Sequence, residues 1–117
     1  MRHRKKRVFE LRGGAQKYEN VVRNLITALI REGKVTTTQK RGKVLVAEME
    51  KFIGDLLKVD RLYEDQKDRQ REAIRRIKRV VFGEAEGKKM LNELLPQIRQ
   101  TGRTSGFVRL LKLNSRR

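Results

Sequence analysis

The side chains that could do chemistry in this sequence are mostly cations. The stretch from Gly33 to Ala47, Gly-Lys-Val-Thr-Thr-Thr-Gln-Lys-Arg-Gly-Lys-Val-Leu-Val-Ala, holds Lys34, Lys40, Arg41 and Lys43 and no acid. Thr36, Thr37 and Thr38 are β-branched and read as a short extended piece, with Thr38 placed to cap a helix that starts at about Gln39. Three cations in the first turn and a half of that helix face the positive end of its dipole, which ordinarily prefers acids. A phosphate at the helix start removes the conflict, because free backbone N–H groups and Lys40, Arg41 and Lys43 then point at one anion. An ordinary capped turn is the plainer reading, but fifteen positions without an acid favour a polyanion-binding site.

Other chemistries find little support. His3 is the sole histidine and lacks partners for metal binding or general-base work, which leaves an RNA contact or no role. There is no cysteine, which excludes disulfides and thiolate metal sites. The carboxylates fall at helical ion-pair spacings, and no Gly-x-x-x-x-Gly-Lys-Ser/Thr loop is present. No enzyme, cofactor or small-molecule substrate is expected. Six aromatics and no Trp leave few platforms for unpaired bases, which favours recognition of folded RNA by backbone and shape.

The charge is large and segregated. Thirty-one Lys and Arg against fourteen Asp and Glu give +17, a balance suited to nucleic acid or an anionic membrane. Residues 1–17 carry seven cations and one acid, and residues 99–117 six cations and no acid; the middle holds 18 cations and 13 acids. Such segregation predicts an extended basic contact made by the termini. A solvated charge run or a targeting signal is the plainer reading of Arg2 to Arg7. With Arg12, Lys17 and the matching C-terminal run, however, the segregation favours RNA binding by Arg2, Arg4, Lys5, Lys6, Arg7 and Arg12 at one end, and by Arg103, Arg109, Lys112, Arg116 and Arg117 at the other. Arg109 and Lys112 could equally snorkel from a packed strand.

The elements that must position these residues follow from periodicity. Residues 1–14 have no apolar pattern and read as a basic arm, disordered until it binds. Tyr18, Val21, Val22, Leu25, Ile26, Leu29 and Ile30 mark one face of a helix over 15–32, with Asn20, Arg23, Thr27 and Arg31 opposite and Gly33 as a left-handed cap. A second helix spans about 39–58, where Gly42 and Gly54 each cost roughly 1 kcal/mol relative to alanine; Gly42 anticipates close approach of another backbone. A third spans about 62–82, with Asp65–Arg69 and Glu72–Arg76 pairs and first turns that project into solvent. Met90, Leu91, Leu94 and Leu95 form a short helix that Pro96 should end. Phe107–Leu113 reads as a strand covered on both faces, with Lys34–Thr38 as its partner. The expected architecture is therefore α+β, three to four helices packed on a small sheet: an arm at 1–14 and a single domain at 15–117. No signal-peptide pattern or membrane-length apolar run occurs, so a soluble cytoplasmic protein is expected.

The chain resembles the bacterial large-ribosomal-subunit protein L seventeen family. The similarity lies in Met1-Arg2-His3-Arg4-Lys5, in Arg23-Asn24, in Thr36 to Leu45, in Leu91-Asn92-Glu93-Leu94-Leu95-Pro96 and in Gly106 to Leu113, five motifs in order over nearly the full length. It implies an α+β protein that binds large-subunit ribosomal RNA, stabilises the ribosome beside neighbouring ribosomal proteins and catalyses nothing. It also implies that Arg2 to Arg7 and Thr37 to Lys43 touch RNA, and Arg23 joins the expected contacts. Arg41-Gly42 replaces the family's Lys-Ala, and Gly14-Ala15-Gln16-Lys17 its Ser-Ser-His-Arg. Relatives continue past an Arg-Arg pair into a final strand where this sequence stops at Arg116-Arg117, so a sheet lacking one strand, or a shortened sequence, is expected.

Two rival classes remain at this point. A DNA-binding architectural or regulatory protein would read duplex through the helix–joint–helix, although no heptads or surplus apolar seam support the dimer it needs. A cationic membrane-surface protein would need basic residues flanking an apolar face within one helix, whereas here the densest cations lie outside the helices.

Overall fold

The computed structural model describes residues 14–113. Five α-helices and one π-helical turn follow in order: α1 (Gly14–Glu32), α2 (Gln39–Leu62), α3 (Gln66–Val80), α4 (Glu84–Lys89), the π turn (Met90–Leu94) and α5 (Leu95–Thr101). Apolar residues at spacings of three and four give each long helix a stripe, and the stripes meet in one core. Val22, Ile26 and Ile30 of α1 pack with Val44, Leu45, Met49, Phe52, Ile53 and Leu56 of α2 and with Ala73 and Ile77 of α3, closed by Val81, Met90 and Leu95.

The α+β expectation is wrong: among the described residues there is no strand and no sheet. Phe107–Leu113 has no regular structure, and Lys34–Thr38 forms no ladder with it. The reason is local. The Phe107 and Val108 amides both donate to Glu50 Oε1, at 2.7 and 3.1 Å, so two consecutive ladder donors are spent on a side chain. Nor is the segment covered on both faces. Phe107 and Val108 pack partly against the core, while Leu110, Leu111 and Leu113 are 48%, 69% and 66% exposed.

Two further expectations change. Pro96 does not end a helix but sits in the first turn of α5. The turn before it widens, with the Leu95 amide reaching Met90 O five residues back, which makes room for a ring that cannot donate. Asp65 does not pair with Arg69: it caps α3 through the Lys67 amide at 3.1 Å, and Arg69 Nε donates to Tyr63 O. The Glu72–Arg76 pair does form, at 3.2 Å, and the first turn of α3 is exposed.

The face of α1 opposite its apolar stripe is also occupied. Thr27 is only 3% exposed; its hydroxyl donates to Arg23 O at 2.7 Å and accepts from the Phe82 amide at 2.9 Å. Arg23 lies over the Phe82 ring, 3.9 Å from its centroid, and donates to Val80 O at 3.3 Å, satisfying a carbonyl at the end of α3. Arg31 Nε meets Glu86 Oε1 at 2.9 Å, and Lys89 donates to Arg31 O at 3.0 Å. A polar seam thus ties α1 to the end of α3 and to α4.

Candidate nucleic-acid interface

The joint between α1 and α2 is built as its residue types require. Gly33 takes φ 81 and donates to Leu29 O at 2.8 Å, closing α1 with a conformation that L side chains avoid. Thr38 is extended, at φ −68 and ψ 158, and its hydroxyl accepts from the Arg41 amide at 3.3 Å, so α2 begins at Gln39. The first turn of α2 holds no acid. Lys34, Lys40, Arg41 and Lys43 are exposed, and no described residue forms an ion pair or hydrogen bond with the side chains of Lys34, Lys40 or Arg41. Positive charge therefore faces the positive end of the α2 dipole without an internal counter-ion among the described residues.

The C-terminal segment lies beside this joint. Glu50 holds the amides of Phe107 and Val108, and two residues later Leu110 reaches Gly42. A Cβ on Gly42 would stand 2.8 Å from Leu110 Cδ1 and 3.8 Å from Thr37 Cγ2. The close approach anticipated at Gly42 is thus made by a leucine side chain rather than a backbone. Because Arg41 and Lys43 flank Gly42, and Arg109 precedes Leu110, the segment carrying Arg109 and Lys112 is drawn against the start of α2. Both cations are exposed, and neither side chain has a partner among the described residues.

The structure therefore brings together Thr37, Thr38, Lys40, Arg41, Lys43 and the segment bearing Arg109 and Lys112. Arg23 stands apart, its guanidinium engaged at Phe82 and Val80. Arg103 curls onto its own loop, with Nη1 donating to Gly106 O at 3.0 Å. Arg99, counted among the C-terminal cations, makes a two-pronged pair with Asp60 at 2.9 and 3.0 Å. Arg2, His3, Arg4, Lys5, Lys6, Arg7, Arg12, Arg116 and Arg117 lie outside the described residues, as does the arm expected at 1–14 apart from Gly14, which opens α1.

Glu50 is the residue that sequence reasoning missed. Gly42, Val46 and Glu50 follow one another at intervals of four and form a single row on α2. A carboxylate ending a row that starts at a glycine marks where another piece of chain could lie.

The fold and the site together define a small, helical, strongly basic protein whose outward cations suit a polyanion. Residues 21–117 match the family model described as Ribosomal protein L17. The chain belongs to that family. It is 33% identical to the large ribosomal subunit protein bL17 of Fervidobacterium nodosum over 119 residues, covering 100% of this chain and 90% of that relative. It is 34% identical to bL17 of Carboxydothermus hydrogenoformans over 99 residues, 85% and 78% of the two chains, and 30% identical to bL17 of Thermotoga neapolitana over 120 residues, 100% and 86%. No solved structure matches the chain.

Proposed function

We propose that the chain meets large-subunit ribosomal RNA by neutralising phosphates, with Thr37, Thr38, Lys40, Arg41, Lys43, Arg109 and Lys112 as one contact surface and the basic residues 2–12 and 116–117 extending it. Membership of its family makes it a structural component of the large ribosomal subunit, and not an enzyme. Its partners are ribosomal RNA and other ribosomal proteins, and it is ribosome-bound; in a bacterial cell that means the cytoplasm. The DNA-binding alternative is not favoured.

The observation that carries the RNA reading is the pair of side chains Lys40 and Arg41, exposed at a helix start whose dipole repels them and without an internal partner among the described residues. In an isolated chain they gain nothing there. Against an RNA backbone, the same cations and the amides beneath them offset phosphate repulsion and let RNA helices pack closely.

The test is salt dependence. If ~6 to 10 phosphates are contacted, affinity for large-subunit ribosomal RNA falls by ~10³ to 10⁵ between 50 and 200 mM salt. The protein should also co-sediment with the large subunit and leave it only at high salt. Affinity that hardly changes across that range would overturn the phosphate mechanism.

A further inference from the structure

We propose that the exposed row Lys67, Arg71, Arg75 and Lys78 on α3 is a second polyanion-binding surface, taking the phosphate backbone of a separate RNA segment, so that the protein cross-links two pieces of RNA. The proposal rests on the RNA-binding reading above and extends it to a surface that reading does not use.

Helix α3 concentrates charge: its fifteen residues hold seven cations and two acids. The acids offset the row only at Arg75. Glu72 is shared between Arg76 at 3.2 Å and Arg75 of the row at 3.5 Å, while Asp68, at the edge of the row about 20° round the helix from Arg75, forms no ion pair among the described residues. Two of the seven cations are spent internally, Arg69 on Tyr63 O and Arg76 on Glu72 and Asp55 O. Lys67, Arg71 and Lys78 are exposed, and no described residue pairs with their side chains.

Spacing turns these cations into a surface. Positions 67, 71, 75 and 78 lie within about 80° of one another around the helix and along about 16 Å of it. The row faces away from Ala73 and Ile77, which anchor α3 in the core. Four cations in one row, of which only Arg75 has a paired acid, would be costly decoration on a solvated helix, where mixed signs at i,i+4 are the stabilising pattern.

Placement argues for a separate RNA segment. Helix α2 has 24 residues and is about 36 Å long, with the Lys40–Arg41 start at one end and the turn into α3 at the other. Lys67 follows directly on that turn. The two cationic surfaces therefore begin at opposite ends of the longest helix. A membrane is the poorer fit, because the apolar face of α3 is buried against α1 and α2 and leaves only Ile74 beside the cations.

The test is capture of a labelled RNA duplex by full-length protein already held on an immobilised RNA duplex. With K67Q/R71Q/K78Q, the first duplex is still bound through the joint, while capture of the second falls roughly a hundredfold at 0.15 M salt and its salt slope drops by about 3. The charge-keeping K67R/R71K/K78R variant retains capture, and K40A/R41A loses it from the other side. Should the triple glutamine change unfold the chain, R71Q and K78Q alone give the same readout at smaller size. Undiminished capture by K67Q/R71Q/K78Q overturns the second surface and leaves the first intact. Wild-type protein that holds no RNA overturns both. Binding to phosphatidylglycerol vesicles as strong as to RNA, and lost in the same variant, would make the row a membrane face instead.

Discussion

The seam between α1 and α3 and the joint between α1 and α2 draw on the same residue types and use them in opposite ways. At the seam, Arg23, Thr27 and Arg31 have their donors matched: carbonyls at the end of α3, the Arg23 carbonyl and the Glu86 carboxylate each take one. At the joint, Thr38 caps its helix, yet Lys40 and Arg41 meet no acceptor among the described residues. A threonine or an arginine thus says little by its type. What decides its work is whether a carbonyl or carboxylate lies in reach, and a cation left without one is available to a ligand.

The contrast can be broken from either side. Thr27→Val removes the acceptor of the half-buried Phe82 amide and should destabilise the fold by about 1–3 kcal/mol in denaturant unfolding, with RNA affinity of the folded fraction unchanged. Lys40→Ala with Arg41→Ala should do the reverse. RNA affinity falls roughly thirtyfold at 0.15 M salt and the salt slope by about 2. The melting temperature stays level or rises slightly, since a clash with the helix dipole is relieved. A large loss of melting temperature there would make the joint part of the seam's kind of structure.

Glu50→Ala probes the strap that joins the two regimes. It should cost about 1 kcal/mol, speed hydrogen exchange at the Phe107 and Val108 amides, and weaken RNA binding as Arg109 is released from beside the joint. Slow exchange at those amides in the variant would mean that another contact holds the segment.

The smallest effect is expected at Glu86. The hydrogen bond from Arg31 holds its carboxyl below the usual carboxylate range. A carboxyl lowered in the folded state stabilises it above the unfolded value and loses that contribution as pH falls through the folded value. Glu86→Gln should therefore flatten the acid side of the stability profile slightly and leave neutral-pH RNA binding alone. An acid limb unchanged by the substitution would assign it to other carboxylates.

The long helices were legible because their information is local. Leu45, Met49, Phe52, Ile53 and Leu56 repeat at helical spacing whatever packs on them, and the Thr38 cap and Gly33 stop are read from residue type. Phe107–Leu113 was misread for the complementary reason. Its β-branched and aromatic start and alternating leucines satisfy a strand pattern, but a strand exists only with a partner, and Glu50, fifty-seven residues away, took its first amide. Arg23 and Thr27 sit where helix geometry puts a solvated face, and only the fold reveals that α3 ends against them. At the candidate site the joint was visible and its neighbour was not, since no periodicity announces that Leu110 will reach Gly42.

The widened turn at Met90–Leu94 acts as a vernier. One extra residue in a turn offsets everything downstream by about 100° of rotation, and it is in that shifted setting that Leu95 points inward and Arg99 arrives opposite Asp60. Excising a single residue there would leave an unbroken and more regular helix. The tail beyond it would then leave the body on the wrong bearing, and Arg109 would miss the start of α2 although no residue of either had been touched.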